Sequence, residues 1–432
     1  MLFHPALSQF RAALIFYISL AVTLFGAIAL LFPSGYSLGP ALLLLASPIL
    51  LFTRPKLGLE RRDWAIMAVL MLYGGLWILE IWWDGQGTRG LDKPIRFFLA
   101  VPVLLLLLAY PPRMASVWLS TALAAIGTGS FAAWQKLVLG MSRADGHTQV
   151  IQFGNASMLF GVFCLGGLGW AVCQPRSRSW VALLVVGALF GFMGSLFSGS
   201  RGGWIGLPFI ALALYKGYGR YMARRYQVML AGGLLTVGVL AYAIPHTGVA
   251  ERIDQGVSDV QRYISGESRT SSLGARFEMW RAAAIVIPER PLAGWGQNGY
   301  IERAAELVEQ EKVGVAVARY SHVHNEVLDI TVKRGLLGLA TLLLIYFVPM
   351  RLFGRQINAP NLELRAVAVS GVLLCVAYVD FGLSQVFFAH NSGVMLFSFW
   401  LVILWASMRK LESSASSERP GLSGASSRGA PS

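Results

Sequence analysis

Charge is what this sequence has least of. Asp, Glu, Lys and Arg together make up 13% of its 432 residues, about half the share usual in soluble domains, which excludes an ordinary water-soluble surface for a chain of this length. Cysteine is nearly absent: Cys164, Cys173 and Cys375 all stand inside apolar stretches without CxxC spacing, so neither a disulfide framework nor a cysteine-based zinc site is on offer. There is no HExxH and no DxD pair, the spacings that place a metal on a helix or hold a divalent ion against a diphosphate. The N-terminus also lacks the short apolar core and small-residue cleavage site of a removable signal peptide, so its first apolar run is expected to insert and stay.

What fills the chain instead is apolar surface: hydrophobic residues reach 55% and the mean hydropathy is +0.58. Windows of about 17 to 22 apolar residues recur, each long enough to cross a bilayer as a helix. The reading is an all-α integral membrane protein of about twelve transmembrane helices, at 11–32, 37–53, 64–80, 95–110, 115–136, 155–173, 180–198, 202–217, 227–245, 326–350, 364–381 and 391–408. This divides the chain into nine spans over 1–245, a loop domain over 246–325, three spans over 326–410 and a Ser-, Gly- and Pro-rich tail over 411–432, expected to be disordered.

The net charge of +14 would point to nucleic acid in a soluble protein, but its distribution points to topology. Every second connection is rich in Lys and Arg: Arg54, Lys56, Arg61 and Arg62, then Arg113, then Arg176 and Arg178, then Lys216, Arg220, Arg224 and Arg225, then Arg351 and Arg355, and finally Arg409 and Lys410. Both termini are therefore expected on the cytoplasmic side. The exceptional connection is 246–325 on the opposite side. It carries ten of the twenty-two acidic residues and nine basic ones, the make-up of a small soluble domain. Within it, Phe277, Trp280, Ala284 and Ile287 recur at helical spacing before Pro288 and Pro291, and IERAAELVEQEKVGVAVA reads as a second, amphipathic helix.

The few polar groups at membrane boundaries are the candidate functional residues, because burying them there is costly. Arg201 in FSGSRGGWIG either snorkels from the tip of a tight helical hairpin or binds an anion that the surrounding glycines let approach. Lys93 and Arg96 in LDKPIRFFLA sit on the first turn of a span, either as a juxtamembrane anchor or as a site for an anionic headgroup or diphosphate. Arg276 and Arg281 in the loop domain read equally as a solvated helix face or as ligands. In HVHNEVLDITVKRGLLG, His322 and His324 are either structural residues at a helix start or general bases, since imidazole exchanges a proton near neutral pH. Two residues apart, they share a side only in extended backbone. His147, His246 and His390 read as interfacial or structural, and His4 falls on the cytoplasmic side.

HNEVLDITVKRGLLG, in which His324 and Asn325 are followed after nine residues by Gly335 and Gly338, resembles the signature of the O-antigen ligase and polymerase superfamily. Leu339 departs from it, standing where many ligases carry Thr. SLGARFEMWRAAAIVIPERPLAGWGQNGY resembles that superfamily's outer-loop pattern, SRGGW its transmembrane block, and LDKPIRFFLAVPVL a segment of the lipopolysaccharide O-antigen ligases; the likeness covers about 60–400. The resemblance implies a metal-independent membrane glycosyltransferase of GT-C-like architecture, with the loop domain a mainly helical periplasmic one between spans nine and ten, and no cofactor. It implies a donor glycan on undecaprenyl diphosphate, a lipid A core acceptor, surrounding membrane lipid, no nucleic-acid partner, and residence in the bacterial inner membrane with the site on the periplasmic face. His324 would then be the base, Arg201 and Arg276 the clamp on the diphosphate, and Asn325, His322, Lys93, Arg96 and Arg281 substrate contacts. The rival readings are an O-antigen polymerase and a lipid-linked oligosaccharide transporter.

Overall fold

The computed structural model describes residues 3–243 and 249–417, and every regular element among them is helical. In chain order the α-helices are α1 (Phe3–Ala27), α2 (Leu38–Ala46), α3 (Ile49–Thr53), α4 (Arg61–Trp83), α5 (Ile95–Ala109), α6 (Met114–Ala133), α7 (Val150–Ala171), α8 (Ser177–Ser198), α9 (Leu207–Gly217) and α10 (Arg224–Ala243). They continue with α11 (Val249–Ile264), α12 (Ser272–Val286), α13 (Gly296–Glu309), α14 (Glu326–Gly354), α15 (Leu362–Ser384) and α16 (Asn391–Ser417). Nine helical segments among the described residues are long and apolar enough to cross a membrane, so the protein is a multi-pass membrane protein.

Three of the twelve expected spans do not qualify, and each has its own reason. The run at 95–110 forms α5, whose 15 residues reach about 22 Å at 1.5 Å per residue, short of an apolar core of about 30 Å. The run at 202–217 is broken by a 3-10 turn, Arg201–Trp204, which leaves only the 11 residues of α9. The expected span 227–245 runs past residue 243 and so lies partly outside the described residues, as does His246.

Helices α7, α15 and α16 are the most enclosed; α16 packs through Trp400 on Phe25 of α1 at 5.5 Å and Phe163 of α7 at 5.2 Å, and through Phe397 on Tyr378 of α15 at 4.8 Å. Without a hydrophobic drive between helices in lipid, close backbone approach does the holding. A side chain at Gly191 would come within 2.6 Å of Gly161 Cα, and Ser157 Oγ donates to Gly191 O at 2.9 Å across the same α7–α8 contact. Helix α16 runs to Ser417, past the expected end of order at 410. The reason is an ion cluster: Arg409 reaches Glu60 and Asp63, and Glu412 pairs with Arg62 at 2.6 Å, which ties the last turns of α16 to the start of α4.

The 246–325 segment builds a second small core. Ala275, Met279, Ala282, Ala283 and Val286 of α12 pack on Tyr300, Ala304 and Leu307 of α13. This stripe is rotated from the expected one: Ala284 is exposed, while Trp280 and Ile287 are only partly buried at its edge, Trp280 donating through Nε1 to Val323 O. The second helix begins and ends earlier than expected: Glu311 takes a left-handed φ of 55°, Lys312 N–H closes on Leu307 O, and Gly314 N–H is captured by Glu278.

That small domain is docked on α14 and α4 by backbone. Gly335 has a φ of 61° within α14, which frees the chain there to take Pro291 O on Leu336 N–H, while Trp295 N–H donates to Val332 O at 2.8 Å. A Cβ on Gly335 would collide with Leu292 O, so the two signature features, GWG and the first glycine of GLLG, are two halves of one joint. On the other flank the Asp84 carboxylate accepts from Asn298 N–H at 2.8 Å and Gly299 N–H at 3.3 Å, a carboxylate at the start of α13 where the helix leaves donors open.

Candidate active site

The loop that carries His324 is pinned on both sides of it. Asp329 accepts Val323 N–H at 3.0 Å, and Trp280 donates to Val323 O at 3.2 Å. Asn325 caps α14 by accepting Leu328 N–H at 3.1 Å, and its Nδ2 donates to Leu383 O at 3.2 Å. Between these anchors His324 takes a φ of 53°, a left-handed conformation that costs a non-glycine residue about 1 kcal/mol and that persists where surrounding bonds over-determine it. The two histidines therefore meet without the extended backbone that their spacing calls for, with ring centroids 4.2 Å apart. Tyr320 covers His324 edge-on at 5.2 Å, and His324 Nδ1 lies 2.7 Å from Gln385 Oε1.

Burial, and next the positive charge of Arg276, lower the proton affinity of His324 below that of a free imidazole, against the opposing pull of Gln385 and Asp329. His322 is pushed down to about 4, by burial first and the neighbouring His324 second. His390 is also pushed down to about 4, by burial and then by Lys93. At neutral pH all three rings are thus uncharged, and a ring with a bare nitrogen can accept a proton.

Cationic side chains surround this group. Arg276, on α12, is half-buried and acts on His324 electrostatically. Lys333 is buried and paired with Asp329 at 2.7 Å. Lys93 is half-buried, and desolvation is the first cause that lowers its proton affinity. It lines an open cavity of about 410 Å³ with Tyr36, His147, Gln152, His390 and Asn391. Arg96 is turned inward: its guanidinium holds Asp92 at 2.8 Å and donates to Asn391 O at 3.3 Å, joining α5 to the start of α16. Arg281 faces away, exposed, 3.9 Å from Glu278.

The side chain of Arg201 lies outside the described residues, but its backbone does not. The turn Arg201–Trp204 packs on the end of α15, where a side chain at Gly202 would strike Ser384 Oγ, and Ser384 is adjacent to the Gln385 that meets His324. Gly206 N–H donates to Asp380 at 2.6 Å on the same helix. The glycines of SRGGWIG thus serve a close approach between this turn and α15.

Several residues at the site escaped the sequence reading. Gln385 comes from the α15–α16 link, with no spacing to the HVHN stretch that would associate it, and His390 on the same link reads in the sequence only as interfacial or structural. Glu326 accepts Phe387 N–H at 2.6 Å and Phe388 N–H at 3.2 Å, holding that link beneath the histidines. Asp329, which accepts Val323 N–H and pairs with Lys333, was not singled out in the sequence. Its place one turn from Asn325 was the available signal.

Comparison with known proteins adds a family and a relative. The family described as O-Antigen ligase matches residues 185–343, a stretch that runs from α8 through the turn at Arg201 and the small domain into α14. A protein of Haemophilus influenzae, described as uncharacterized, is 31% identical over 383 residues, which cover 88% of this chain and 95% of that one.

Proposed function

Because the chain belongs to the O-antigen ligase family, we propose that it transfers a glycan from undecaprenyl diphosphate to a sugar hydroxyl of lipid A core, at the outer face of the bacterial inner membrane. The observation that carries this reading is the setting of His324, whose loop is held by four hydrogen bonds and whose ring lies 2.7 Å from Gln385 and in the field of Arg276.

The chemistry needs little else. His324 takes the proton of the acceptor hydroxyl as its oxygen attacks the anomeric carbon of the donor. The bond from that carbon to the diphosphate oxygen breaks, and the electron pair leaves with the diphosphate. Negative charge grows on the leaving group, and Arg276 and Arg201 neutralise it, since a guanidinium fork matches phosphate oxygens in pairs. The donor is already activated, so alignment and charge stabilisation supply the rate. A single displacement inverts the configuration at the anomeric carbon. Lys93 and His322 line the approach to the base, Arg96 and Asn325 fix the backbone under it, and Arg281 stays at the rim of the domain.

The separate reading as a polymerase shares donor and base but takes a second lipid-linked repeat unit as acceptor. Purified protein supplied with labelled lipid-linked glycan and each acceptor in turn decides between them. Transfer to lipid A core at least ten times faster than to the second repeat unit is the expected result, by about 1.4 kcal/mol of discrimination. Elongation of the lipid-linked glycan alone overturns the ligase assignment.

A further inference from the structure

The residue that sits against the proposed base has no part in the family-level argument, and its geometry assigns it one. Gln385 follows α15, is 2% exposed, and bonds through its own N–H to Phe381 O at 3.1 Å. Its side-chain Oε1 receives Val386 N–H at 3.2 Å and lies 2.7 Å from His324 Nδ1. A backbone N–H can only donate, so the amide atom facing it is the carbonyl oxygen and not the NH2 group. A carbonyl oxygen can only accept, so His324 Nδ1 must carry a hydrogen. The neutral ring then keeps its lone pair on Nε2.

We propose that Gln385 is a positioning residue that fixes His324 as the Nδ1–H tautomer and so presents Nε2 as the atom that takes the acceptor's proton. This inference rests on the reading of His324 as the base. An uncharged amide suits that task differently from a carboxylate. It fixes the tautomer and steadies the imidazolium that forms, but it adds no negative charge near a diphosphate, where a carboxylate would repel the donor. The link beneath it is also held: Glu326 accepts the next two backbone N–H groups, and Ser384 abuts the turn at Arg201. The other titratable groups that act on or touch the ring are Arg276 from α12, Asp329 from α14, Tyr320 and His322 from its own loop, and His390 from the α15–α16 link.

The test has a spectroscopic arm and a kinetic arm. Nitrogen NMR of the full chain labelled at its six histidines, with His324 assigned by loss of its signal in His324→Gln, reads the tautomer without turnover. The expected state has hydrogen on Nδ1, and hydrogen on Nε2 overturns the proposal. In the kinetic arm, Gln385→Leu is expected to lower kcat about 100-fold with the donor KM within about twofold. Gln385→Glu is expected to keep the tautomer and to move the acidic limb of the rate profile upward by about one pH unit. An unchanged limb in Gln385→Glu, or a kcat within about threefold in Gln385→Leu, sinks the positioning role. Should Gln385→Leu not fold, the NMR of the unaltered chain and the Glu variant still decide. Failure of the base itself looks different: transfer then survives in His324→Gln, whatever tautomer the ring adopts.

Discussion

Among the polar clusters of the described residues, two at different helix ends are built on opposite rules. Where α4 begins and α16 ends, Arg62 and Arg409 meet Glu60, Asp63 and Glu412, with Trp405 Nε1 also donating to Asp63 at 2.8 Å. Each charge there has an opposite charge within ion-pair reach. Where α14 and α16 begin, three neutral histidines, Lys93 and Arg276 gather, the Nε2 atoms of His322 and His390 are buried without a partner, and no carboxylate forms an ion pair with Lys93 among the described residues. The first cluster is what burial of charge demands of a structure. The second leaves donor and acceptor capacity open, the condition of a site that awaits an anion and a hydroxyl.

Breaking each cluster should therefore hurt a different property. The largest effect is expected from Arg276→Gln, which lowers transfer about 10³-fold by removing a charge from the leaving group while the melting temperature in detergent stays close to that of the unaltered chain. Asp63→Ala should do the reverse. It strands Trp405 Nε1 and takes away one of the carboxylates around Arg409, which keeps Glu60, costs about 2 kcal/mol of stability, and leaves transfer per folded molecule nearly unchanged, as thermal unfolding and an activity assay on the surviving fraction will read. Gly335→Ala tests the joint between the clusters' scaffolds: the strained φ and the collision with Leu292 O should cost about 2 kcal/mol and make the small domain more open to limited proteolysis.

The smallest effect is a matter of pH. His324 has a lowered proton affinity, so it remains a base at neutral pH, and transfer should fall only as acidification passes a midpoint below the ordinary imidazole value of about 6.5. Stability should follow in the same direction. The unfolded chain takes up protons at His322 and His390 near pH 6.5, whereas the folded chain keeps both neutral down to about 4, so unfolding becomes easier across that window and is unaffected above it. A rate profile that falls first on the alkaline side of neutrality contradicts the assignment.

The two clusters also differed in how far the sequence revealed them. Of the twelve crossing segments the apolar runs announced, nine are long and apolar enough among the described residues, because length and hydropathy alone govern that property. The runs misled at 202–217, where glycines that looked like part of a span instead make a turn against α15. His324 and Asn325 were legible because they start a helix with a recognisable pattern. Gln385 was not, since a glutamine just beyond an apolar helix carries no periodic signal and stands 61 positions along the chain from His324. Arg96, read either as an anchor or as an anion contact, holds Asp92 and Asn391 in the fold, partners that its sequence neighbourhood alone did not reveal. The loop's left-handed residue was equally hidden, because it results from anchors on α12, α14 and α15 acting together.

The central claim is that one imidazole takes the proton and does not hold the donor, and one paired measurement addresses it most directly: glycan transfer and binding of the lipid diphosphate donor, side by side, in the unaltered chain and in His324→Ala. The account predicts transfer lowered about 10³-fold with donor affinity within about threefold of the original. Transfer that persists within about tenfold, or a loss of activity that donor binding fully explains, contradicts it.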